Sequence, residues 1–251
     1  MKLLLILLAL VGSNIVYAGK SLPEFEVEKI SQGVYLHKSY QRVKGFGVVG
    51  SNGLVVIDGD NAFIIDTPWS DSDTEKLVSW VNKQGHVLAG SVSTHWHGDR
   101  TAGVKWLNAH SIPTYASKLT NEFLKKAGRE LATNTFDQPE YRLAVANMEA
   151  FYPGAGHTMD NIVVWLPKSK ILYGGCLIRS LEAKGLGYTG EASIDKWSDS
   201  VAKVLSRYPE AQIVIPGHGR FGDIRLLEHT KRLAESASGK LIQPTAKTLT
   251  D

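Results

Sequence analysis

The chain has 251 residues, 43% of them hydrophobic and 21% charged, which fits one ordinary domain or two small ones and excludes disorder and collagen-like structure. A formal charge of +3 is too weak to argue for nucleic-acid binding, and a single cysteine allows no internal disulfide.

Residues 1–18 read as an export signal. Lys2 supplies the positive end, Leu3 to Val11 a short apolar run, and Val16-Tyr17-Ala18 the small-x-small pattern before a cut. The run falls short of the roughly 20 apolar residues of a spanning helix. An uncleaved anchor and a buried core helix are the other readings. The expectation is cleavage after about Ala18, leaving residues 19–251 as a single periplasmic domain without a membrane span. In an oxidising compartment, lone Cys176 is buried and inert, paired with another chain, or held as a thiolate on a metal.

Beyond the signal, strands alternate with helices, and no Pro-, Gly- or Ser-rich linker divides them. Leu54–Asp58 and Ala62–Asp66 flank Gly59-Asp60-Asn61 and predict a hairpin. Ser70 to Asp73 can cap a helix with Leu77, Val78 and Val81 inside and Gly85 at its end. A strand over Leu88–Thr94 follows, then short helices around Val104–Asn108 and Leu119–Lys126. The second half repeats the plan, with strands at Met148–Tyr152, Ile162–Leu166 and Ile171–Tyr173. A helix over Ile194–Ser206 precedes a strand at Gln212–Ile215. The last helix carries Leu226, Leu227, Thr230, Leu233, Ala234 and Ala237 at helical spacing, and the residues after about Lys240 are polar and expected to fray. This order predicts an α/β domain of two packed sheets with helices outside.

His95-Trp96-His97-Gly98-Asp99-Arg100 directly follows an apolar strand. Imidazole and carboxylate are ligands for a borderline metal such as zinc. Alternation along an extended segment would turn His95, His97 and Asp99 to one side, with Trp96 and Gly98 pointing elsewhere. Gly154-Ala155-Gly156-His157-Thr158, Gly174-Gly175-Cys176 and Pro216-Gly217-His218-Gly219 also place a ligand-type side chain past a strand end, beside glycines that let the backbone approach closely. Alone, His157 or His218 reads as a hydrogen-bonded turn histidine and Cys176 as a small buried hydrophobe. Together they can build one site. His37, His86, His110 and His229 lack that setting and are assigned structural or surface roles.

With Asp66-Thr67-Pro68-Trp69 and Asn161, these motifs resemble the class B metallo-β-lactamases over nearly the whole mature chain. Arg100 and Cys176 narrow the resemblance to the subclass with a three-histidine zinc site and an Asp-Cys-His zinc site. It implies an αββα sandwich of two mixed sheets. It also implies two zinc ions per chain, one on His95, His97 and His157 and one on Asp99, Cys176 and His218. The implied reaction is opening of the β-lactam ring of penicillins, cephalosporins and carbapenems by hydroxide between the metals, which confers resistance. Three neutral imidazoles leave zinc acidic enough to bring the pKa of water toward ~7. Asp99 can also orient that hydroxide, Arg100 supports the second site, and Asp66 is a candidate partner for a ligand histidine or for Arg100.

The substrate carboxylate calls for a cation near the second zinc. Arg179 stands where many members of the family have lysine, and it can bind carboxylate bidentately. Tyr188 replaces a common asparagine, which leaves carbonyl assistance from a side chain at that position in doubt. Residues 38–52 align with a mobile flap, and Phe46, Trp69 and Tyr40 are candidates for its apolar walls. Ordinary sheet edge and plain core are the other readings of these aromatics. No oligomer is argued for, so a monomer is expected. The alternatives are another zinc hydrolase of this scaffold, such as a lactonase or thioesterase, and a non-catalytic zinc-binding protein.

Overall fold

Runs in which every position is apolar, such as Leu54-Val55-Val56-Ile57 and Val163-Val164-Trp165-Leu166, need a partner on both faces of their sheet. The computed structural model, which describes residues 21–143 and 147–240, supplies both. The export signal expected over residues 1–18 and the tail expected to fray after Lys240 lie outside the described residues.

The first half runs β1 (Glu26–Ser31), β2 (Val34–Val43), β3 (Gly47–Asp58), β4 (Asn61–Ile65), α1 (Asp71–Lys83), β5 (Val87–Val92), the single turn α2 (Gly98–Thr101), α3 (Val104–Ala109), β6 (Thr114–Ser117), α4 (Lys118–Lys126) and β7 (Asn134–Phe136). The second half runs β8 (Glu140–Leu143), β9 (Met148–Phe151), β10 (Val163–Leu166), β11 (Ile171–Gly175), α5 (Ile194–Arg207), β12 (Ile213–Pro216) and α6 (Arg225–Ala237). Ser70 caps α1 by accepting from the Asp73 amide at 3.1 Å, as its sequence predicts. Strands β1 to β7 form one sheet in chain order, antiparallel as far as β4 and parallel beyond it. The second sheet has the order β12-β11-β10-β9-β8 and is parallel only between β11 and β12.

Between the sheets, Leu54, Val56, Phe63 and Ile65 pack with Ala150, Val164, Leu166, Ile171 and Tyr173. The alternate residues Val55, Ala62 and Ile64 turn outward onto Leu77, Val78 and Val81 of α1 and Leu107 of α3. Val163, Trp165, Leu172 and Val214 likewise meet Trp197, Val201 and Val204 of α5 and Leu226, Leu227 and Ala234 of α6. The result is the expected sandwich of two mixed sheets between helical layers. Burying one Val, Leu, Ile or Phe side chain contributes about 1.5–3 kcal/mol, so these three cores outweigh any cap. No helix among the described residues is long and apolar enough to cross a membrane.

The pairing also fixes where chemistry can sit. Strands β4 and β5 run parallel and end at one edge. In the other sheet β9, β11 and β12 share a direction and end together. A bond from the Ile162 amide to the Thr94 carbonyl, 2.9 Å long, ties the two edges. The loops after these strands therefore face one another.

Candidate metal centre

The loop after β5 carries the first histidines. Ring nitrogens of His95, His97 and His157 lie within 4.8 Å of one another, with His97 Nδ1 3.2 Å from His157 Nε2. Asn161 shapes the third histidine's turn: its Oδ1 accepts from the Thr158 amide and its Nδ2 donates to the Gly154 carbonyl. Both ring nitrogens of His95, and Nδ1 of His157, are buried with no hydrogen-bond partner. Orphaned imidazole nitrogens are costly in a protein interior, and a cation among these rings satisfies one on each. Burial, then the neighbouring His157 ring, holds His95 well below its ordinary pKa. Burial, then His97, brings His157 down to about 3. These rings are neutral at physiological pH and their lone pairs are available.

The geometry differs from the extended segment expected here. His97 is the N-cap of α2 and Asp99 sits in its first turn, so Asp99 reaches the centre by helical rise rather than by pleat. Trp96 and Gly98 do not point elsewhere: both line the cavity over the site.

Asp99, Cys176 and His218 form a second cluster. Cys176 Sγ lies 3.4 Å from Asp99 Oδ2 and 3.3 Å from His218 Nε2, and the carboxylate and imidazole are 3.1 Å apart. His218 Nδ1 donates to the Gly50 carbonyl at 2.8 Å, which leaves Nε2 facing the thiol and carboxylate. Residue 217 must be glycine here: a Cβ would stand 2.6 Å from Cys176 Sγ and 2.9 Å from Arg100 Nη2.

Arg100 is fully buried beneath this cluster and spends every N–H. Nε and Nη2 reach Asp99 Oδ2 at 3.0 and 2.8 Å, Nη2 also meets the Gly217 carbonyl, and Nη1 meets the Asn52 carbonyl, Asp66 and the Tyr173 hydroxyl. Burial opposes the Asp99 carboxylate, yet Arg100 and His218 hold its pKa well below the usual range. Burial pushes the Cys176 thiol well up, against the pull of Arg100. A cation beside that sulfur favours its thiolate.

Asp66 sits in the left-handed region at φ 59, tolerable for aspartate, at the end of β4. Its carboxylate accepts from the Thr94 amide and hydroxyl at 2.6 and 2.7 Å and from Tyr173 at 2.8 Å, besides Arg100. It thus holds Arg100 and the residue before His95; among the described bonds its side chain meets no histidine. Its carbonyl instead meets His37 Nε2 at 3.0 Å, which makes His37 a buried structural residue as expected.

The middle of β3 is sewn to the loops carrying Asp99 and His218. Ser51 Oγ donates to the Asp99 carbonyl, the Asn52 amide to the Gly217 carbonyl, and Asn52 Nδ2 to the carbonyls of Pro216 and Gly219. Residues 38–52 form the long β2–β3 hairpin, paired out to Val43 and Gly47.

A cavity of about 500 Å3 opens over both clusters, lined among others by Phe46, Trp69, Arg179 and Tyr188. Phe46 is 54% exposed near the hairpin tip. The Trp69 ring lies 6.2 Å from that of His218, and the Tyr188 ring 5.9 Å from that of His97. Arg179 Nε donates to the Gly185 carbonyl at 3.2 Å. Tyr40 is not on this wall; its hydroxyl donates to Glu26 on the neighbouring strand.

Sequence reasoning missed Glu191, whose Oε2 meets His97 Nε2 at 2.6 Å, and Arg129, which donates to the Trp96 carbonyl. Neither belongs to a recognisable motif; an acidic residue three places after Tyr188 in the same loop was the one available signal. Asn52 and Tyr173 were missed as well, each disguised as an ordinary strand residue.

The chain is similar to known proteins. A metallo-beta-lactamase type 2 from Pseudomonas aeruginosa is 46% identical over 230 residues, covering 92% of each chain. Another, from Bacteroides fragilis, is 34% identical over 98% of this chain and 100% of its own. A crystal structure of the DIM-1 metallo-β-lactamase exposed to ceftazidime matches with a TM-score of 0.86 at 63% identity, covering 87% of this chain and all of that one. The FIM-1 metallo-β-lactamase of Pseudomonas aeruginosa, solved in a mono-zinc form, matches at 0.81 with 36% identity over 86% of this chain and 97% of its own. No family model matches the chain.

Proposed function

The chain belongs to the class B metallo-β-lactamases, zinc-dependent hydrolases that open β-lactam rings and confer antibiotic resistance, and from that premise we propose how its own residues divide the work. His95, His97 and His157 hold one ion through neutral imidazoles, and Asp99, Cys176 and His218 hold a second, giving two per chain. When bound, zinc polarises the lactam carbonyl and makes water nucleophilic near neutral pH.

Asp99 Oδ2 is occupied by Arg100, His218 and Cys176, whereas Oδ1 has only the 4.0 Å approach of His95 Nε2. Oδ1 therefore accepts a hydrogen bond from the attacking water and aims it. Arg100 keeps that carboxylate ionised. Arg179 binds the ring carboxylate of penicillins, cephalosporins and carbapenems. Phe46 and Trp69 form apolar walls under the β2–β3 flap. The Tyr188 hydroxyl folds back over Gly190, so its ring serves as wall and it donates nothing to the lactam oxygen. Residues 1–18 export the chain to the periplasm, where residues 19–251 act as one domain and as a monomer.

The observation that supports this division most is the buried thiol held between Asp99 and His218 with Arg100 beneath it. The test is zinc stoichiometry measured alongside carbapenem and penicillin turnover. Turnover should vanish with chelator and return with zinc. Activity indifferent to chelation, or opening of acyl lactones with carbapenem absorbance unchanged, refutes it.

A further inference from the structure

Arg129 follows Gly128 just beyond α4 and lines the same cavity as the metal centre. Its Nη1 donates to the Trp96 carbonyl at 2.8 Å. Its Nη2 and Nη1 lie 3.6 and 3.9 Å from the point a Cβ on residue 98 would occupy, and Trp69 Nε1 is 3.5 Å from that point. Because residue 98 is glycine, guanidinium and indole converge over the first residue of α2. Arg129 is half-buried, and among the described residues it has no carboxylate partner. Arg179 is in the same condition. Burial depresses the pKa of both guanidiniums. Asp99 attracts Arg129 only at a distance, and a cation partly drawn from water with no carboxylate bonded to it is a receptor for an anion with planar, forked geometry.

The two arginines reach the cavity from different loops. Arg179 stands in the loop after Cys176, and Arg129 holds the backbone between His95 and His97. Glu191 also lines the cavity, but its Oε2 is taken up by His97 at 2.6 Å. We propose that Arg129 is a second anion-recognising group, so that β-lactams bearing a further carboxylate on their side chain are held at both arginines. This rests on the hydrolase reading of the same cavity.

Benzylpenicillin and carbenicillin make a matched pair, differing by one side-chain carboxylate. In R129M, which keeps the aliphatic stem, kcat/KM for carbenicillin should fall about tenfold through KM while that for benzylpenicillin stays within about twofold. R129K should retain part of the preference, and added salt should erode it in the parent. A merely structural role, fixing the loop between the histidines, predicts equal losses on both substrates. Equal losses, or none, overturn the proposal. A parent enzyme that turns over neither penicillin refutes instead the hydrolase reading beneath it.

Discussion

Replacing Arg100 by methionine removes the charge while keeping much of the side-chain volume. In the parent, six hydrogen bonds shorter than 3.3 Å tie this guanidinium to Asp99, Asp66, the carbonyls of Asn52 and Gly217, and the Tyr173 hydroxyl. The substitution takes the buried counter-charge from two carboxylates and a donor from two carbonyls at once, although Asp66 keeps Thr94 and Tyr173. Breaking a buried ion pair by deleting one partner costs about 3–5 kcal/mol, which for a chain of this length lowers Tm by about 10 °C. The Asp99 pKa also climbs, because burial already opposes its ionised form. Zinc titrations should then show the Asp99, Cys176 and His218 site failing first. Urea unfolding of the metal-free protein isolates the stability effect from the metal. Metal-free R100M within about 1 kcal/mol of the parent would refute the reasoning, since it would mean the network beneath Asp99 is dispensable.

Cys176→Ser should weaken the second zinc far more than the first, read as ions bound per chain after dialysis; equal loss of both contradicts the split. Arg179→Ala should raise KM for penicillins about tenfold with little change in kcat, because a ground-state anchor contributes uniform binding; an unchanged KM removes Arg179 from substrate recognition. Burial, opposed by the Asp66 carbonyl and aided by Arg100, depresses His37 to about 3. Between about pH 6.5 and 3 the unfolded chain binds a proton at His37 that the fold refuses, so its contribution is complete above that window. It drains away on acidification by about 1.4 kcal/mol per pH unit. Urea unfolding between pH 7 and 4.5 should show a shallower decline in His37→Gln, and parallel curves would show that His37 does not titrate this way.

The two clusters were legible because their members follow strand ends and all but His95 have glycine beside them, a pattern local to a few residues. The apolar strands β3, β4, β10 and β11 announced two-faced burial for the same reason. Strands β6, β7 and β8 did not, being three or four residues long and polar in part. Strand β2 hid its inner face differently: His37 and Ser39 are buried there, Ser39 accepting from the Trp69 amide. A polar residue facing a site breaks the hydrophobic alternation on which strand reading depends. Glu191 and Arg129 were out of reach because their roles exist only after loops distant in sequence have met.

The stitching at Gly50, Ser51 and Asn52 has a mechanical meaning. These residues anchor the hairpin like the fixed end of a cantilever, bolted to the backbone carrying His218 and Asp99. Its free end around Phe46 overhangs the cavity. If that end grips substrate as proposed, mutational drift there would retune which antibiotics are held while the bolts stay untouched, so spectrum and metal affinity would evolve separately within one ribbon of chain.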